Sequence, residues 1–163
     1  MLTGERFRQE GEPSSTPHAR AWVGCDDVEQ TRTGRPTTAM GWEVDADGLY
    51  DVLTALQRDY DPIPLYVTEN GAALDDVVAD DGSVPDPDRI SYLDGHFRAA
   101  GRAIAEGVDL RGYFVWSLLD NFEWAYGFDK RFGLVHVDYD TQARTPKDSA
   151  RWFAQVTRRN GLE

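Results

Sequence analysis

The sequence has little cysteine, little positive charge and no long apolar run. Its one cysteine, Cys25, cannot form an internal disulfide, so a disulfide-stapled scaffold is not indicated. Asp and Glu number 29 against 17 Lys and Arg, and the net charge of −12 argues against binding to nucleic acid or to a membrane surface. No apolar stretch approaches the roughly 18 residues of a membrane span. The first residues lack the apolar core of a signal peptide, so we expect a cytoplasmic location.

Motifs for common cofactors are also missing. The glycines form no phosphate-binding motif, and the three histidines, His18, His96 and His136, lack the spacing of metal ligands. The acidic run over residues 75–88, which includes Asp76 and Asp86, lacks the pattern of a calcium loop, so we expect a solvated acidic loop there. We therefore expect no cofactor and no metal.

The composition nevertheless indicates a folded protein. The chain has 163 residues, 40% of them hydrophobic and 12% aromatic, which suits one folded domain and is too rich for a disordered chain. Residues 1–36 are poorly patterned, with prolines and small polar residues clustered at 13–17, and they predict a loop or a disordered segment. The patterned part of the chain is residues 37–163.

Two helices and two strands alternate over residues 45–118. The first helix starts near Asp45 and precedes a short β-prone strand at 65–68. Asp86 can cap the second helix, whose apolar residues recur every three or four positions until a glycine at 107. The apolar run at 112–118 predicts a strand that is buried on both faces.

The remaining elements are shorter. Residues 132–138 alternate weakly and predict a small extra strand, and a last helix is predicted to open at Thr145 and Pro146. Strands that alternate with helices indicate an α/β fold with parallel βαβ units. Two long strands cannot close a (β/α)₈ barrel, which needs eight strands and at least about 200 residues. If the chain has a barrel fold, it therefore contains only part of the barrel.

Chemistry-bearing residues follow both strands. Thr-Glu-Asn-Gly at 68–71 places Glu69 at the carboxyl end of the first strand, where parallel α/β proteins carry their active sites. Glu69 could serve there as nucleophile, acid or base. The alternative is that Asn-Gly forms a turn and that Glu69 is a solvated loop residue.

The second strand ends in a run that mixes aromatic rings with polar groups. Trp116 and Trp124 bracket Asp120, Asn121 and Glu123. Aromatic faces stack on sugar rings, and carboxylates and amides bind hydroxyls, so the mixture suits a polyhydroxylated ligand. The alternative is that both tryptophans belong to the core and that Glu123 is a rim charge. The two motifs lie at equivalent ends of neighbouring strands, a coincidence that favours a site.

Together, Thr-Glu-Asn-Gly and Trp-Ser-Leu-Leu-Asp-Asn-Phe-Glu-Trp resemble glycoside hydrolase family 1, the retaining β-glucosidases. Shorter matching stretches lie at 39–44, 88–93 and 130–139, so that the resemblance covers about residues 37–160. It implies that residues 37–163 are the C-terminal part of a glycosidase (β/α)₈ barrel, containing about its last two strands with their helices. It also implies a cis peptide between Trp116 and Ser117.

The resemblance assigns roles to five residues. It makes Glu69 the catalytic nucleophile, which forms a covalent glycosyl-enzyme. It makes Glu123 and Trp124 ligands of the sugar hydroxyls and Trp116 the stacking platform. Trp42 resembles a wall of the site entrance. The implied substrate is a β-glucoside or an oligosaccharide, and the implied reaction is hydrolysis of a terminal β-glycosyl unit.

The second carboxylate of the family is missing. Family members carry the acid/base glutamate in a Thr-Phe/Leu-Asn-Glu-Pro motif, which does not occur in this sequence. Asp120 is the nearest substitute by sequence, but it follows the strand beside that of Glu69. The chain is therefore expected to carry the nucleophile without the acid/base and to be inactive or nearly so alone. It could be an inactive truncated remnant, or half of a split enzyme that pairs with a complementary N-terminal barrel fragment or with itself. A 6-phospho-β-glucosidase is disfavoured because Glu123 would repel the phosphate.

Overall fold

The computed structural model of the protein describes residues 33–162. The loop or disordered segment predicted over residues 1–36 lies almost wholly outside the described residues. The helices are α1 (Ala46–Asp59), α2 (Pro87–Ala105) and α3 (Asp148–Arg159), and the strands are β1 (Leu65–Asn70), β2 (Leu110–Val115), β3 (Val135–Val137) and β4 (Arg144–Pro146). The predicted order of helix, strand, helix, strand and helix is confirmed. Across residues 33–162, no helix combines the length and the apolar character needed to cross a bilayer.

The first two strands form one parallel βαβ unit. β1 and β2 are hydrogen-bonded neighbours that run in the same direction, and α2 connects them. α1 begins as predicted, because Oδ1 of Asp45 accepts a hydrogen bond from the Gly48 amide at 3.0 Å. A second, antiparallel pair joins β3 to β4. The carboxyl ends of β1 and β2 therefore meet at one end of the sheet, as the site prediction requires.

The core lies between the helices and one face of the parallel strand pair. Leu53 of α1, Ala103 of α2 and Val108 form its buried centre, and Leu65 and Val67 of β1 pack against them. The stripe predicted for the first helix supplies Leu53, whereas Ala103 lies outside the stripe predicted for the second helix. Burial of such side chains is the main source of stability in a unit of this size.

The other face of the sheet is open, which corrects the prediction that the second strand is buried on both faces. Phe114 of β2 is 60% exposed and Tyr66 of β1 is 55% exposed. The apolar run was typical of a strand covered on two sides, but within residues 33–162 no third strand joins this sheet. The two strands thus carry interior-type residues on a face that nothing in the described part of the chain covers.

The prediction for the last helix was wrong at its start. Thr145 and Pro146 belong to β4, which pairs with β3, and α3 starts at Asp148. Pro146 resembles a first-turn helix residue, but the antiparallel pairing opposite Val135 holds it in extended backbone. The helix ends at Arg159, and Asn160 adopts the left-handed conformation that commonly closes a helix.

Candidate active site

The candidate nucleophile lies where the two parallel strands end. The Trp116 amide donates a hydrogen bond to the Asn70 carbonyl at 2.9 Å, so the residue after β2 is joined to the last residue of β1. Between Val67 and Asn70 the chain takes three steps along β1 against two along β2, from Tyr113 to Val115. This register shift leaves one extra residue in β1, as a β-bulge does, and we call it the bulge in β1.

The bulge decides which way Glu69 faces. Side chains alternate along a strand, and Val67 faces the helices. Without the extra residue, Glu69 would face the helices as well. With it, Asn70 turns towards the helix layer, where it is hydrogen-bonded to Tyr92 of α2, and Glu69 is exposed. The sequence predicted Glu69 at the strand end, and the bulge presents its carboxylate to solvent rather than to the core.

Gly71 allows the two strand ends to approach each other closely. A Cβ atom at this position would lie 1.6 Å from the carbonyl oxygen of Trp116, closer than any two such atoms can come. The following peptide, between Trp116 and Ser117, is cis, as the resemblance implied. Glycine at 71 is therefore required by contact with the backbone that carries Trp116.

The remaining residues of the second motif form a turn beyond β2. The Glu123 amide donates to the Gly127 carbonyl at 2.6 Å, and the Tyr126 amide donates to the Glu123 carbonyl at 2.8 Å. Trp124 is 83% exposed and Trp116 is 38% exposed, so neither is the core residue of the alternative interpretation. Because their motifs follow two adjacent parallel strands, we predict that Glu69, Trp116, Glu123 and Trp124 converge on one cleft, and this stays a prediction.

Trp42 lies on a segment that is tied to both site loops. The Ala39 amide donates to the Ala73 carbonyl at 2.9 Å, in the loop that follows β1. The Lys130 ammonium donates to the Ala39 carbonyl at 2.8 Å, and the Trp42 ring lies 6.2 Å from that of Phe132. Trp42 is therefore held beside the loops that follow the two strands, with its side chain half-exposed.

A buried network of three carboxylates and three cations supports both loops. The Arg89 guanidinium donates to Asp76 at 2.6 Å and to Asp86 at 2.9 Å, and it also donates to the Ala72 carbonyl at 2.6 Å. The Lys147 ammonium pairs with Asp76 and, at 2.9 Å, with Asp120. The network consists of Asp76, Asp86, Arg89, Asp120, Arg131 and Lys147.

This network corrects two sequence predictions. Asp76 and Asp86 are buried ion-pair partners rather than members of a solvated acidic loop. The Asp86 side chain does not cap α2, because the Arg89 guanidinium and the amide and hydroxyl of Ser149 take its oxygens. Buried carboxylates need such donors, since an unpaired buried charge is strongly unfavourable.

Asp120 is occupied by this network and is not available as a substitute acid. It is 4% exposed, and it accepts hydrogen bonds from Lys147, from Arg131 at 2.7 Å and from the Gly133 amide at 2.9 Å. Burial alone would raise the pKa of Asp120, but the two cations outweigh it and hold the pKa below its usual value. A carboxylate that is ionised and saturated with donors has no proton to give a leaving group.

Sequence reasoning missed the cations of this network. Arg89 and Arg131 lie within the stretches at 88–93 and 130–139, which served only to support the resemblance. Lys147 stands beside a predicted helix start and was given no role in the sequence analysis. The available signal was the number of aspartates in the acidic run, because six carboxylates in one loop raise the question of which cations neutralise them.

A parallel strand pair backed by helices, with an exposed carboxylate at its carboxyl ends, is the architecture of part of a (β/α)₈-barrel enzyme. The sequence model of Glycosyl hydrolase family 1 matches residues 5–162, and the chain belongs to this family. The match begins well before residue 37, where the resemblance found in the sequence starts. The expected partial barrel of this family is confirmed.

Curated relatives and solved structures agree. The chain is 58% identical over 128 residues to Beta-glucosidase A of Thermotoga maritima, covering 78% of this chain and 29% of that protein. It is 51% identical over 158 residues to Thermostable beta-glucosidase B of Thermobispora bispora, covering 96% of this chain and 31% of that protein. The solved family 1 β-glucosidase from T. maritima superposes with a TM-score of 0.82 at 55% identity, covering 84% and 32% of the two chains. The chain thus spans about a third of the length of the relatives it matches.

Proposed function

We propose that this chain supplies the nucleophile side of a retaining β-glucosidase active site. The observation that carries the proposal is the exposed Glu69 carboxylate at the carboxyl end of β1, beside Trp116 at the end of the parallel strand β2. The names of the relatives supply the substrate class, a terminal β-linked glucosyl unit or a related β-glycosyl unit.

In this proposal, Glu69 forms the covalent intermediate. Its carboxylate attacks the anomeric carbon, the bond to the aglycone oxygen breaks, and an acid outside these 163 residues protonates the departing oxygen. The same group then takes a proton from water, which attacks the anomeric carbon and releases Glu69. Trp116 stacks on the sugar, Glu123 and Trp124 bind its hydroxyls, and Trp42 forms a wall of the entrance.

The proposal includes a partner for the open sheet face. Tyr66 and Phe114 have the apolar, half-exposed character of residues that other barrel strands would cover. Both edges of the two-stranded sheet have unpaired backbone groups within residues 33–162. A complementary set of barrel strands, on the same polypeptide or on another, would cover this face and bring the acid/base glutamate.

A complementation assay tests the proposal. The 163-residue chain is mixed with the part of the T. maritima β-glucosidase that lacks the region this chain matches. We expect release of nitrophenol from an aryl β-glucoside by the mixture, no substantial release by either part alone, and loss of the release with the Glu69→Gln chain.

Three results would count against the proposal. Hydrolysis by a mixture containing Glu69→Gln would mean that the nucleophile lies elsewhere. Turnover of about one per second or faster by the chain alone, abolished by Glu69→Gln, would mean that a second carboxylate within the chain completes the site. Gel filtration shows whether the two parts associate, so that absence of activity in an associated mixture also contradicts the site assignment.

A further inference from the structure

The residue after the candidate nucleophile is held by two tyrosines on the helix side of the sheet. The Tyr113 hydroxyl donates a hydrogen bond to Oδ1 of Asn70 at 2.6 Å. Nδ2 of Asn70 donates to the Tyr92 hydroxyl at 3.2 Å. Both halves of the Asn70 amide are thus used, and we call Asn70, Tyr92 and Tyr113 the Asn70 clamp.

The clamp is packed into a layer of aromatic rings between the helices and the sheet. The Tyr113 ring meets the Phe97 ring of α2 edge-on at 4.8 Å, and Phe97 is stacked on Trp152 of α3 at 5.8 Å. Tyr92 is stacked on His96 one turn further along α2, at 4.0 Å. Burial raises the pKa of both tyrosines, so Tyr113 keeps the proton that it donates to Asn70. The aromatic layer between the helices and the sheet therefore fixes the Asn70 side chain.

The bulge in β1 links this anchor to the active site. Side chains of adjacent residues leave a strand on opposite faces, so a fixed Asn70 on the helix side requires Glu69 on the exposed side. A strand without the bulge would place Asn70 on the exposed side and Glu69 against the aromatic layer. The hydrogen bond from the Trp116 amide to the Asn70 carbonyl joins the same residue to the stacking platform.

We propose that the Asn70 clamp positions Glu69 for attack, with Tyr113 and Asn70 as positioning residues that touch no substrate. The proposal rests on the proposed function for its catalytic consequence, but its structural part concerns this chain alone. The clamp faces away from the exposed side of the strand, where the sugar would bind. Its loss should therefore affect the alignment of Glu69 rather than the affinity for the sugar, and misplacement of a reacting group by about 1 Å can lower a rate about a hundredfold.

Removal of one hydroxyl tests the structural part in the 163-residue chain. Amide hydrogen exchange is followed by NMR in wild type, Tyr113→Phe and the control Tyr50→Phe, whose hydroxyl bonds to Glu106 at 2.7 Å, away from the site. We expect exchange at the Trp116 amide to accelerate about tenfold or more in Tyr113→Phe, with the Leu65 amide at the other end of β1 unchanged within about twofold. The control should leave both rates unchanged.

A second pair of variants distinguishes loss of the clamp from a general loss of folding. Asn70→Asp keeps an acceptor for Tyr113 and lets the Tyr92 hydroxyl donate to the second oxygen, so exchange at Trp116 should stay near the wild-type rate. Asn70→Leu has a similar size and no acceptor, and it should behave like Tyr113→Phe. The proposal is overturned if Tyr113→Phe and Asn70→Leu accelerate amide exchange equally at Trp116 and Leu65, or if they do not accelerate it at Trp116.

Kinetics of the completed barrel test the catalytic part. In the complementation mixture we expect Tyr113→Phe to lower kcat about tenfold or more, with KM within about twofold of the wild-type value. An unchanged kcat, or an effect on KM alone, overturns the positioning role. If the wild-type mixture shows no Glu69-dependent hydrolysis, the proposed function fails, while hydrogen exchange still decides whether the clamp holds the bulge.

Discussion

The loop layer beyond the carboxyl ends of the parallel strands differs from the open face of the same strands in how completely its side chains are paired or covered. Beyond the carboxyl ends, three buried carboxylates meet three cations, and Arg89 and Lys147 are almost fully enclosed. On the open face of the same strands, Tyr66 and Phe114 are more than half exposed. The buried charges of the loop layer are therefore paired within this chain, whereas no strand within residues 33–162 covers the sheet face.

The difference shows which parts of the molecule are packed by residues of this chain and which are left exposed. Buried charges tolerate no missing partner, so the loops that carry the candidate site depend on residues of this chain alone. Apolar side chains on an open face lower solubility but do not prevent local folding. The loops around the candidate site can therefore be ordered while the open face of the sheet is uncovered.

Removal of Lys147 should have the largest effect on this arrangement. Lys147→Met keeps most of the side-chain volume but leaves Asp76 and Asp120 buried without their shared cation. We expect the free energy of unfolding to fall by about 3–5 kcal/mol, measured by urea denaturation followed by tryptophan fluorescence.

The matched control is an exposed ion pair. Arg151 of α3 pairs with Asp148 at 2.9 Å, with both side chains about half exposed. Because solvent screens such a pair, Arg151→Met should change the free energy of unfolding by less than about 1 kcal/mol. Similar losses in the two variants would contradict the view that the loop layer depends on its buried charges.

Addition of one methyl group at the strand ends should have the next largest effect. Gly71→Ala would place Cβ against the Trp116 carbonyl, so the two strand ends must separate. We expect a loss of about 1–3 kcal/mol in urea denaturation, the usual range for overpacking. Gly101→Ala in α2 is the control, since its Cβ meets no atom within 4 Å and alanine favours helix, so it should stabilise by about 0.5–1 kcal/mol. A loss in both variants would point to a general effect of alanine.

The open face should respond in the opposite way. Phe114→Thr removes an exposed ring and introduces a β-branched residue that suits a strand, so stability should change by less than about 1 kcal/mol. The fraction of monomer in analytical ultracentrifugation should rise, because less apolar surface is available for association. Leu93→Ala, at a fully buried position of α2, should cost about 2–5 kcal/mol. A large loss of stability in Phe114→Thr would mean that this face is already covered.

Local patterns predicted the elements that form the βαβ unit. The apolar stripe that starts near Asp45 predicted α1, and the short β-prone run predicted β1, because these signals lie within a few neighbouring residues. The pairing that turned Thr145 and Pro146 into β4 could not be read in the same way, since it depends on β3, about ten residues away in sequence. The prediction that Phe114 is buried was wrong for a related reason. The sequence of a strand indicates which kind of surface suits its side chains, but it does not show whether that surface is present.

The sequence predicted the residues of the candidate site but not the bulge and the ion pairs that hold its loops. The position of Glu69 after a strand pointed to function, whereas the bulge that turns it outward leaves no mark on the sequence. The partners of Asp120 lie 11 residues away, at Arg131, and 27 residues away, at Lys147. Such distant pairings follow from the tertiary fold and are not visible in spacing or composition.

The smallest expected effect concerns His96, which is buried on the helix side of the sheet. Its Nδ1 lies 2.7 Å from the Tyr92 carbonyl, which can only accept, so Nδ1 carries the proton of the neutral ring. Burial lowers the pKa of His96 below the usual 6.5. A lowered pKa in the folded state means that the unfolded chain binds the proton more readily. The contribution to stability is therefore complete above pH 6.5 and is lost as the pH falls through the folded value.

Urea midpoints at pH 7.5 and at pH 5.5 measure this contribution. We expect a small decrease at the lower pH in the wild type and a smaller decrease in His96→Gln, which cannot take up a proton. His136 keeps part of the slope in both proteins, because burial and the charge of Arg131 also lower its pKa. Because His96 is stacked on Tyr92, protonation of His96 should also disturb the Asn70 clamp. We therefore expect the protection factor of the Trp116 amide, taken relative to the intrinsic exchange rate at each pH, to fall at pH 5.5, while that of the Leu65 amide stays unchanged. Identical slopes in the two proteins would show that His96 is accessible to protons in the folded chain and that the helix side of the sheet is less closed than its burial indicates.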